Sequence, residues 1–123
     1  MELIEEPVEA ATVLMISVAR FDGTGRVSDN QAAKIGALLR ENMQLDPEDA
    51  DDMVIQMRSI TQYLTQPDST LYPMVELLLN SISKDDAREL SYMMKDVAET
   101  DSEINLDQKE LIRRFEERMG ILA

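Results

Sequence analysis

Apolar residues recur along most of the chain with the three- and four-residue spacing of an amphipathic α-helix. No run alternates with the two-residue period of a β-strand. Residues 8–19 are apolar on nearly every face, a pattern typical of a helix buried at the centre of a bundle. The pattern therefore predicts an all-α fold of about six helices with one central helix.

Residues favoured at helix starts separate these apolar segments. They are Pro7, Ser28, the pair Asp46-Pro47, Ser83 and Asn105. Gly120 suits the left-handed conformation that ends many helices. We expect Pro67 to end the third helix or to follow its end. Ser69 or Thr70 then caps the fourth helix, with Pro73 confined to its first turn.

One motif occurs twice. The first copy is Val18-Ala19-Arg20-Phe21-Asp22-Gly23 followed by Val27-Ser28-Asp29-Asn30-Gln31, and the second is Val97-Ala98-Glu99-Thr100-Asp101-Ser102 followed by Ile104-Asn105-Leu106-Asp107-Gln108. The turn acids are offset by 79 residues and the closing glutamines by 77, and apolar positions of the flanking helices match at the same offsets. We therefore expect paired acidic loops and an internal pseudo-two-fold repeat.

The length of 123 residues suits a single compact domain. We assign residues 1–7 to an N-terminal extension and residues 8–123 to the helical domain. Apolar residues make up 44% of the chain and aromatic residues only 4%, so Leu, Ile, Val, Met and Ala must fill the core.

Acidic residues outnumber basic ones by 25 to 12, for a formal net charge of −13. Such a surface repels phosphate backbones, so we expect no nucleic-acid partner, and it attracts cations or a protein partner with a basic surface. The longest apolar stretch is too short to span a bilayer, and the first residues lack a basic signal-peptide region. We expect no direct membrane insertion and a cytoplasmic location, with peripheral attachment to the inner membrane only through a partner.

The chain has no Cys and no His. This excludes thiolate nucleophiles, the Ser-His-Asp triad and the usual zinc ligand sets. No nucleophile sits in a recognisable motif and no Gly-rich phosphate loop is present, so we expect no enzymatic activity and no tightly held cofactor. A hydrolase that uses paired acids stays a third hypothesis, because carboxylate separation is not readable from the sequence.

The duplicated motif resembles the TerB-like family, named for tellurite-resistance protein B, which includes the N-terminal region of DjlA-type membrane co-chaperones. Its domains are all-helical and carry two turns of the form A-x-x-D-G-E-[IV]-x-x-x-E. Matching segments are Ala19-Arg20-Phe21-Asp22-Gly23 with Val27, Ala98-Glu99-Thr100-Asp101-Ser102-Glu103-Ile104, the helix entry Leu45-Asp46-Pro47-Glu48-Asp49-Ala50 and the ending Arg118-Met119-Gly120-Ile121-Leu122. The resemblance covers about residues 8–122.

The resemblance implies a negatively charged surface at the turns that can bind metal. Carried over residue by residue, its candidate ligands are Asp22, Asp101 and Glu103. Gln31 and Gln108 stand where the family motif closes with Glu. Carboxylates with carbonyls and water suit Ca²⁺, Mg²⁺ or Mn²⁺. The competing interpretation, which we favour, is that the two aspartates only organise turns through bonds to the backbone.

A second acidic cluster holds five acids in seven residues at the start of the third helix. They are Asp46, Glu48, Asp49, Asp51 and Asp52. The cluster complements the helix dipole, or it docks a basic partner. The leading hypothesis is a non-enzymatic TerB-like module that presents an acidic face to a protein partner in a stress-related or membrane-associated complex. The alternative is a weak divalent-cation switch built on the two acidic turns.

Overall fold

Six α-helices make up the computed structural model over the residues it describes, which are 6–21, 25–61 and 67–122, with the backbone alone for residues 67–71. In chain order they are α1 (Pro7–Arg20), α2 (Asp29–Asn42), α3 (Pro47–Thr61), α4 (Pro67–Leu79), α5 (Lys84–Ala98) and α6 (Leu106–Met119). No strand occurs within these described ranges. The predicted all-α fold is confirmed.

The centre of the fold is α1. Every side chain from Ala10 to Ala19 is buried, and α1 packs against all five other helices. Thr12 and Ser17 are accommodated in this apolar surrounding because each hydroxyl donates to a carbonyl one turn earlier, at 2.7 and 2.8 Å. The interpretation of residues 8–19 as a central helix is therefore confirmed.

The predicted start signals act as expected at five helices. Pro7 and Pro47 are the first residues of α1 and α3. Ser28, Ser83 and Asn105 cap α2, α5 and α6, since each side-chain oxygen accepts from the backbone N–H three residues later. At the other end of α6, Gly120 has the predicted left-handed backbone, with φ of 74°.

The fourth helix begins earlier than predicted. Its first residue is Pro67, so the expectation that Ser69 or Thr70 caps it is wrong. Proline is favoured at a first helical position, where a missing N–H needs no partner. Pro73 consequently lies inside α4, beyond its first turn, and cannot donate to the carbonyl of Ser69. Pro73 is exposed, so this gap in the hydrogen bonding of α4 faces solvent.

A half-buried arginine joins the end of α1 to the end of α3. The Arg20 guanidinium donates to the carbonyl and hydroxyl oxygens of Thr61, at 2.5 and 2.9 Å, and to the carbonyl of Arg58 at 3.1 Å. Burial, and then the neighbouring charge of Arg58, lower the pKa of the Arg20 guanidinium. Arg58 itself donates to the carbonyl of Val27 at 3.2 Å. The C-terminal end of α1 is thus fixed by polar contacts.

The contacts between helices are consistent with the expected repeat. α1 and α5 pack against each other, α2 packs against both, and α6 packs against both. If the pair α1–α2 and the pair α5–α6 exchange places, the same set of contacts among these four helices results. The pseudo-two-fold relation of the whole halves stays a prediction, to be tested by superposing residues 8–43 on residues 87–120.

Candidate functional site

The α1–α2 and α5–α6 loops, which carry the repeated motif, meet at the C-terminal end of α1. The carboxylate of Asp101, in the second loop, accepts from Ser28 Oγ at 2.5 Å and from Asn30 Nδ2 at 3.3 Å. Both donors belong to the start of α2, in the first copy of the motif. The acid of one loop therefore bonds to the helix that follows the other loop.

A second contact runs between the two copies in the opposite direction. Asn105, the N-cap of α6, donates from Nδ2 to the carbonyl of Phe21 at 2.6 Å. Its Oδ1 accepts from the backbone N–H of Gln108 at 2.8 Å, so one side chain caps α6 and holds the end of α1. The duplicated segments are brought together, as the expectation of paired loops required.

The closing residues of the motif, Gln31 and Gln108, lie in the core with at most 1% of their surface exposed. Each completes a capping box, because its Oε1 accepts from the N-cap backbone N–H of Ser28 or Asn105, at 2.8 and 3.1 Å. Their Nε2 atoms donate to successive carbonyls of α1. Gln31 reaches Ala19 at 3.4 Å, and Gln108 reaches Val18 at 3.0 Å.

These bonds give both glutamines a structural role that sequence reasoning missed. An amide donates with one end and accepts with the other, whereas a carboxylate has no proton to offer the α1 carbonyls. The signal was present in the sequence, since Ser28-x-x-Gln31 and Asn105-x-x-Gln108 both fit the capping-box spacing. Gln31 and Gln108 therefore link α2 and α6 to α1 through hydrogen bonds, and this structural role describes them better than that of altered metal ligands.

Two of the three candidate cation ligands, Asp101 and Glu103, lie in the part of the chain that the structure describes. Asp22 lies outside the described residues. Both oxygens of Asp101 accept hydrogen bonds from the first copy of the motif, and Glu103 is exposed. Within the described ranges, no three acidic side chains are grouped closely enough to hold a metal ion. Asp101 of the second loop thus bonds to the start of α2, and its partners there are the hydrogen-bond donors Ser28 and Asn30.

The acidic cluster lies exposed at the start of α3, and we call it the α3 acidic face (Asp46, Glu48, Asp49, Asp51 and Asp52). All five residues are exposed, and among the described residues none of their carboxylates makes an ion pair. Ile55, one turn beyond Asp51 and Asp52, is 65% exposed. Unpaired negative charge thus lies beside an exposed apolar side chain.

Several basic residues of α6, by contrast, are paired with acids. Arg113 contacts Glu110 and Glu117 at 2.7 and 2.6 Å, and Arg118 contacts Glu76 of α4 at 2.6 Å. The hydrogen bond from Arg113, the largest influence, lowers the pKa of Glu110 to about 2. Because these pairs cancel charge locally, the α3 acidic face keeps an uncompensated share of the net charge of −13.

None of the helices in the described part of the chain is both long enough and apolar enough to cross a membrane. Over the described residues, the fold that carries the site is a bundle of six amphipathic or buried helices, with two loops joined at the end of a central helix.

The class defined by this architecture is an all-α domain with duplicated acidic turns. A family model described as "Tellurite resistance protein TerB" matches residues 8–122. Because the match covers nearly the whole chain, the chain belongs to the TerB family, as the motifs indicated. We found no match among curated proteins or among solved structures.

Proposed function

We propose that this TerB-family chain is a non-enzymatic interaction module whose α3 acidic face binds a basic surface of a protein partner. The observation that carries the proposal is the exposure of five carboxylates that lack ion-pair partners among the described residues. Electrostatic complementarity of this kind accelerates encounter with oppositely charged partners and disfavours wrong ones. Ile55 offers an apolar contact inside the charged surface, in keeping with the apolar core and polar rim of many interfaces.

The competing explanation is that these acids only complement the dipole at the start of α3. Glu48 and Asp49 occupy the first turn, where negative charge is stabilising by about 0.3–1 kcal/mol each. That effect falls off within the first turn, so it does not account for Asp52. Asp51 lies close to α2, because its Oδ1 is 3.5 Å from the position that a Cβ on Gly36 would occupy. The dipole therefore leaves Asp52 unexplained, and Glu48 and Asp49 are changed together with it because they lie four and three residues earlier, on the same side of α3.

The test is affinity capture from the native host, followed by binding measurements with the purified partner. The variant Glu48→Gln/Asp49→Asn/Asp52→Asn neutralises the α3 acidic face, and the control Asp96→Asn/Glu99→Gln/Asp107→Asn removes the same charge elsewhere. We expect the wild type and the control to capture the partner and the α3 variant to lose it. Affinity should also fall with rising salt, because exposed charges are screened over about 10 Å at 0.1 M. Equal capture by the two variants would reject the assignment of the α3 acidic face.

The family description names tellurite resistance, so tellurite-exposed cells are a sensible condition for the capture. A partner at the inner membrane would give the chain a peripheral location, which fractionation of the same cells tests.

A divalent-cation switch is the second candidate, because Asp101 already bonds the two loops together. An ion bound there must replace the Ser28 and Asn30 donors, and Gln31 and Gln108 point away into the core. We therefore expect an apparent dissociation constant no tighter than roughly 0.1 mM for Ca²⁺. Calorimetric titration with Ca²⁺, Mg²⁺ and Mn²⁺ tests this, with Asp101→Asn expected to abolish any signal.

A further inference from the structure

A groove opens at the end of the bundle opposite the two acidic loops, where the starts of α1 and α5 meet the ends of α2 and α4. We call it the α1/α5 groove, and its volume is about 260 Å³. Its floor is made of buried apolar side chains, namely Ala11, Leu78, Leu90 and Met93. The groove is thus an apolar depression in a strongly acidic surface.

Half-buried apolar side chains form the walls of the groove. They are Val8 of α1, Met43 after α2, and Ile82 after α4. Methionine has an unbranched, adaptable side chain, which suits a surface that accommodates apolar groups of varied shape. Met43 in the wall and Met93 in the floor of the groove therefore favour an apolar occupant.

Two carboxylates lie on the rim of the groove. Asp86 and Glu89 are exposed on α5, and among the described residues neither makes an ion pair. The nearest arginine on the same helix, Arg88, is held by Asp85 at 2.8 Å. Asp86 lies in the first turn of α5, where the helix dipole complements its charge, whereas Glu89 lies beyond that turn. The groove thus combines an apolar floor with carboxylates that make no ion pair among the described residues, which favours a cationic and apolar occupant.

The shape of the fold restricts what kind of chain can bind. The described residues contain no strand edge, so an extended peptide would find no row of backbone groups to pair with. An α-helix satisfies its own backbone hydrogen bonds and can place an apolar stripe into a groove. Among peptide ligands, an amphipathic helix with Lys or Arg beside its apolar stripe fits these features.

Two other occupants match the charges poorly. The chain's own first residues include Glu2 and Glu5 and no basic residue, so they would meet Asp86 and Glu89 with like charge. A second copy of the chain also carries a formal charge of −13. Both comparisons favour a separate, basic partner.

One wall of the groove lies close in sequence to the α3 acidic face. Met43 forms part of its wall, and Asp46 follows three residues later. We propose that the α1/α5 groove binds an amphipathic, basic α-helix of the partner, whose apolar stripe enters the groove and whose cations meet Asp86, Glu89 and the α3 acidic face. This inference rests on the proposed function and names the element of the partner that is recognised.

The probe for the test is a fluorescein-labelled peptide of about 20 residues, because isolated helices shorter than about 12–15 residues are marginal in water. It carries a leucine stripe at helical spacing, lysines beside the stripe and alanine elsewhere. One matched probe has Glu in place of every Lys, and another has the same composition in an order without an apolar face. We expect fluorescence anisotropy to report salt-sensitive binding of the lysine probe to the full chain. Equal binding of either matched probe would overturn the proposal.

Variants of the protein locate the binding. Asp86→Asn/Glu89→Gln should weaken binding of the lysine probe roughly three- to tenfold. Asp96→Asn/Glu99→Gln removes the same charge from the other end of α5 and should change it less than twofold. Ile82→Glu adds a charge that attracts the probe but disrupts the apolar wall, so loss of binding with an unchanged circular dichroism spectrum identifies the groove. Equal effects of the two charge variants would reject it.

Two further outcomes separate this inference from the proposed function. If neither groove variant changes probe binding while the α3 variant loses the native partner, the groove inference fails and the proposed function stands. If the groove variants weaken binding of the lysine probe while the α3 variant captures the native partner normally, the assignment of partner binding to the α3 acidic face fails instead. Self-association that Ile82→Glu abolishes, measured by sedimentation, would assign the groove to a second copy and overturn the proposal.

Discussion

Gln108 in α6 donates from Nε2 to the carbonyl oxygen of Val18, 90 positions earlier in the chain, at 3.0 Å. Gln31 makes the equivalent bond from α2 to the next carbonyl, that of Ala19. Val18 and Ala19 are buried in the last turn of α1, and the backbone N–H of Phe21, just after the helix, also donates to their carbonyls. The two glutamines thus add side-chain hydrogen bonds to the end of the central helix from both copies of the repeated motif.

We predict that Gln108→Glu destabilises the fold. The carboxylate cannot donate to Val18 and would be buried beside its carbonyl oxygen, so we expect a loss of about 1–3 kcal/mol in the free energy of unfolding. The measurement is urea denaturation followed by circular dichroism at neutral pH. Gln56→Glu, at an exposed position of α3, is the matched control and should stay within about 0.5 kcal/mol of the wild type.

The double variant Gln31→Glu/Gln108→Glu separates two explanations of the motif. Restoring the family's closing Glu at Gln31 and Gln108 would strengthen a cation site if these side chains faced an ion. The buried positions predict destabilisation instead. An unchanged unfolding midpoint together with newly gained Ca²⁺ binding would show that the glutamines face the loop ligand.

We predict measurable coupling between Asp101 and Ser28. Asp101→Asn should cost about 0.5–1.5 kcal/mol, since the Asn side chain keeps one acceptor for two donors. Ser28→Ala should cost about 0.5–2 kcal/mol because it also removes the cap of α2. A double-mutant cycle in urea measures the coupling. Glu103→Gln, in the same loop, is the control, and a zero coupling energy would contradict the contact between the loops.

Sequence signals located the elements whose determinants are local. Pro7, Ser28, Asn105 and Gly120 each begin or end a helix through neighbours within one turn, and each of these helix ends was predicted correctly. The start of α4 was misplaced because Pro67 can either follow a helix or open one. Local signals could not decide between these uses.

Long-range features of the site were less predictable. The contact of Asp101 with Ser28 depends on how α5 packs against α1 and α2, which no local pattern specifies. The α1/α5 groove is lined by two parts of the chain, residues 7–43 and residues 78–93, that are distant from each other in sequence. The exposure of the α3 acids, however, followed directly from their charge, since unpaired carboxylates are rarely buried.

We predict that Arg20 requires a guanidinium rather than a positive charge alone. Its Nη1 and Nη2 atoms contact three acceptors on Thr61 and Arg58, a geometry that a lysine ammonium cannot reproduce from one nitrogen. Arg20→Lys should therefore lose about 1–3 kcal/mol of stability in urea denaturation. Arg40→Lys on the exposed side of α2 is the control. Equal stability of the two variants would show that the Arg20 contacts add nothing.

We predict that the ion pairs of α6 make a small, pH-dependent contribution to stability. The hydrogen bond from Arg113 lowers the pKa of Glu110 from 4.5 to about 2. Because the folded-state value is the lower one, the contribution is fully present above about pH 5. It is lost as the pH falls from about 4.5 towards 2, where the unfolded chain binds the proton first.

The measurement is the difference in melting temperature between the wild type and Glu110→Gln at low salt. We expect a constant difference from neutral pH down to about 5, and a steady decrease below that. The difference should be small, since Glu110 is exposed and solvent and salt screen its partners. The matched control repeats both measurements in an Arg113→Gln background, where the pH dependence should largely disappear. A difference that grows as the pH falls would contradict the lowered pKa, because a carboxylate stabilised in its charged form cannot contribute more once it is protonated.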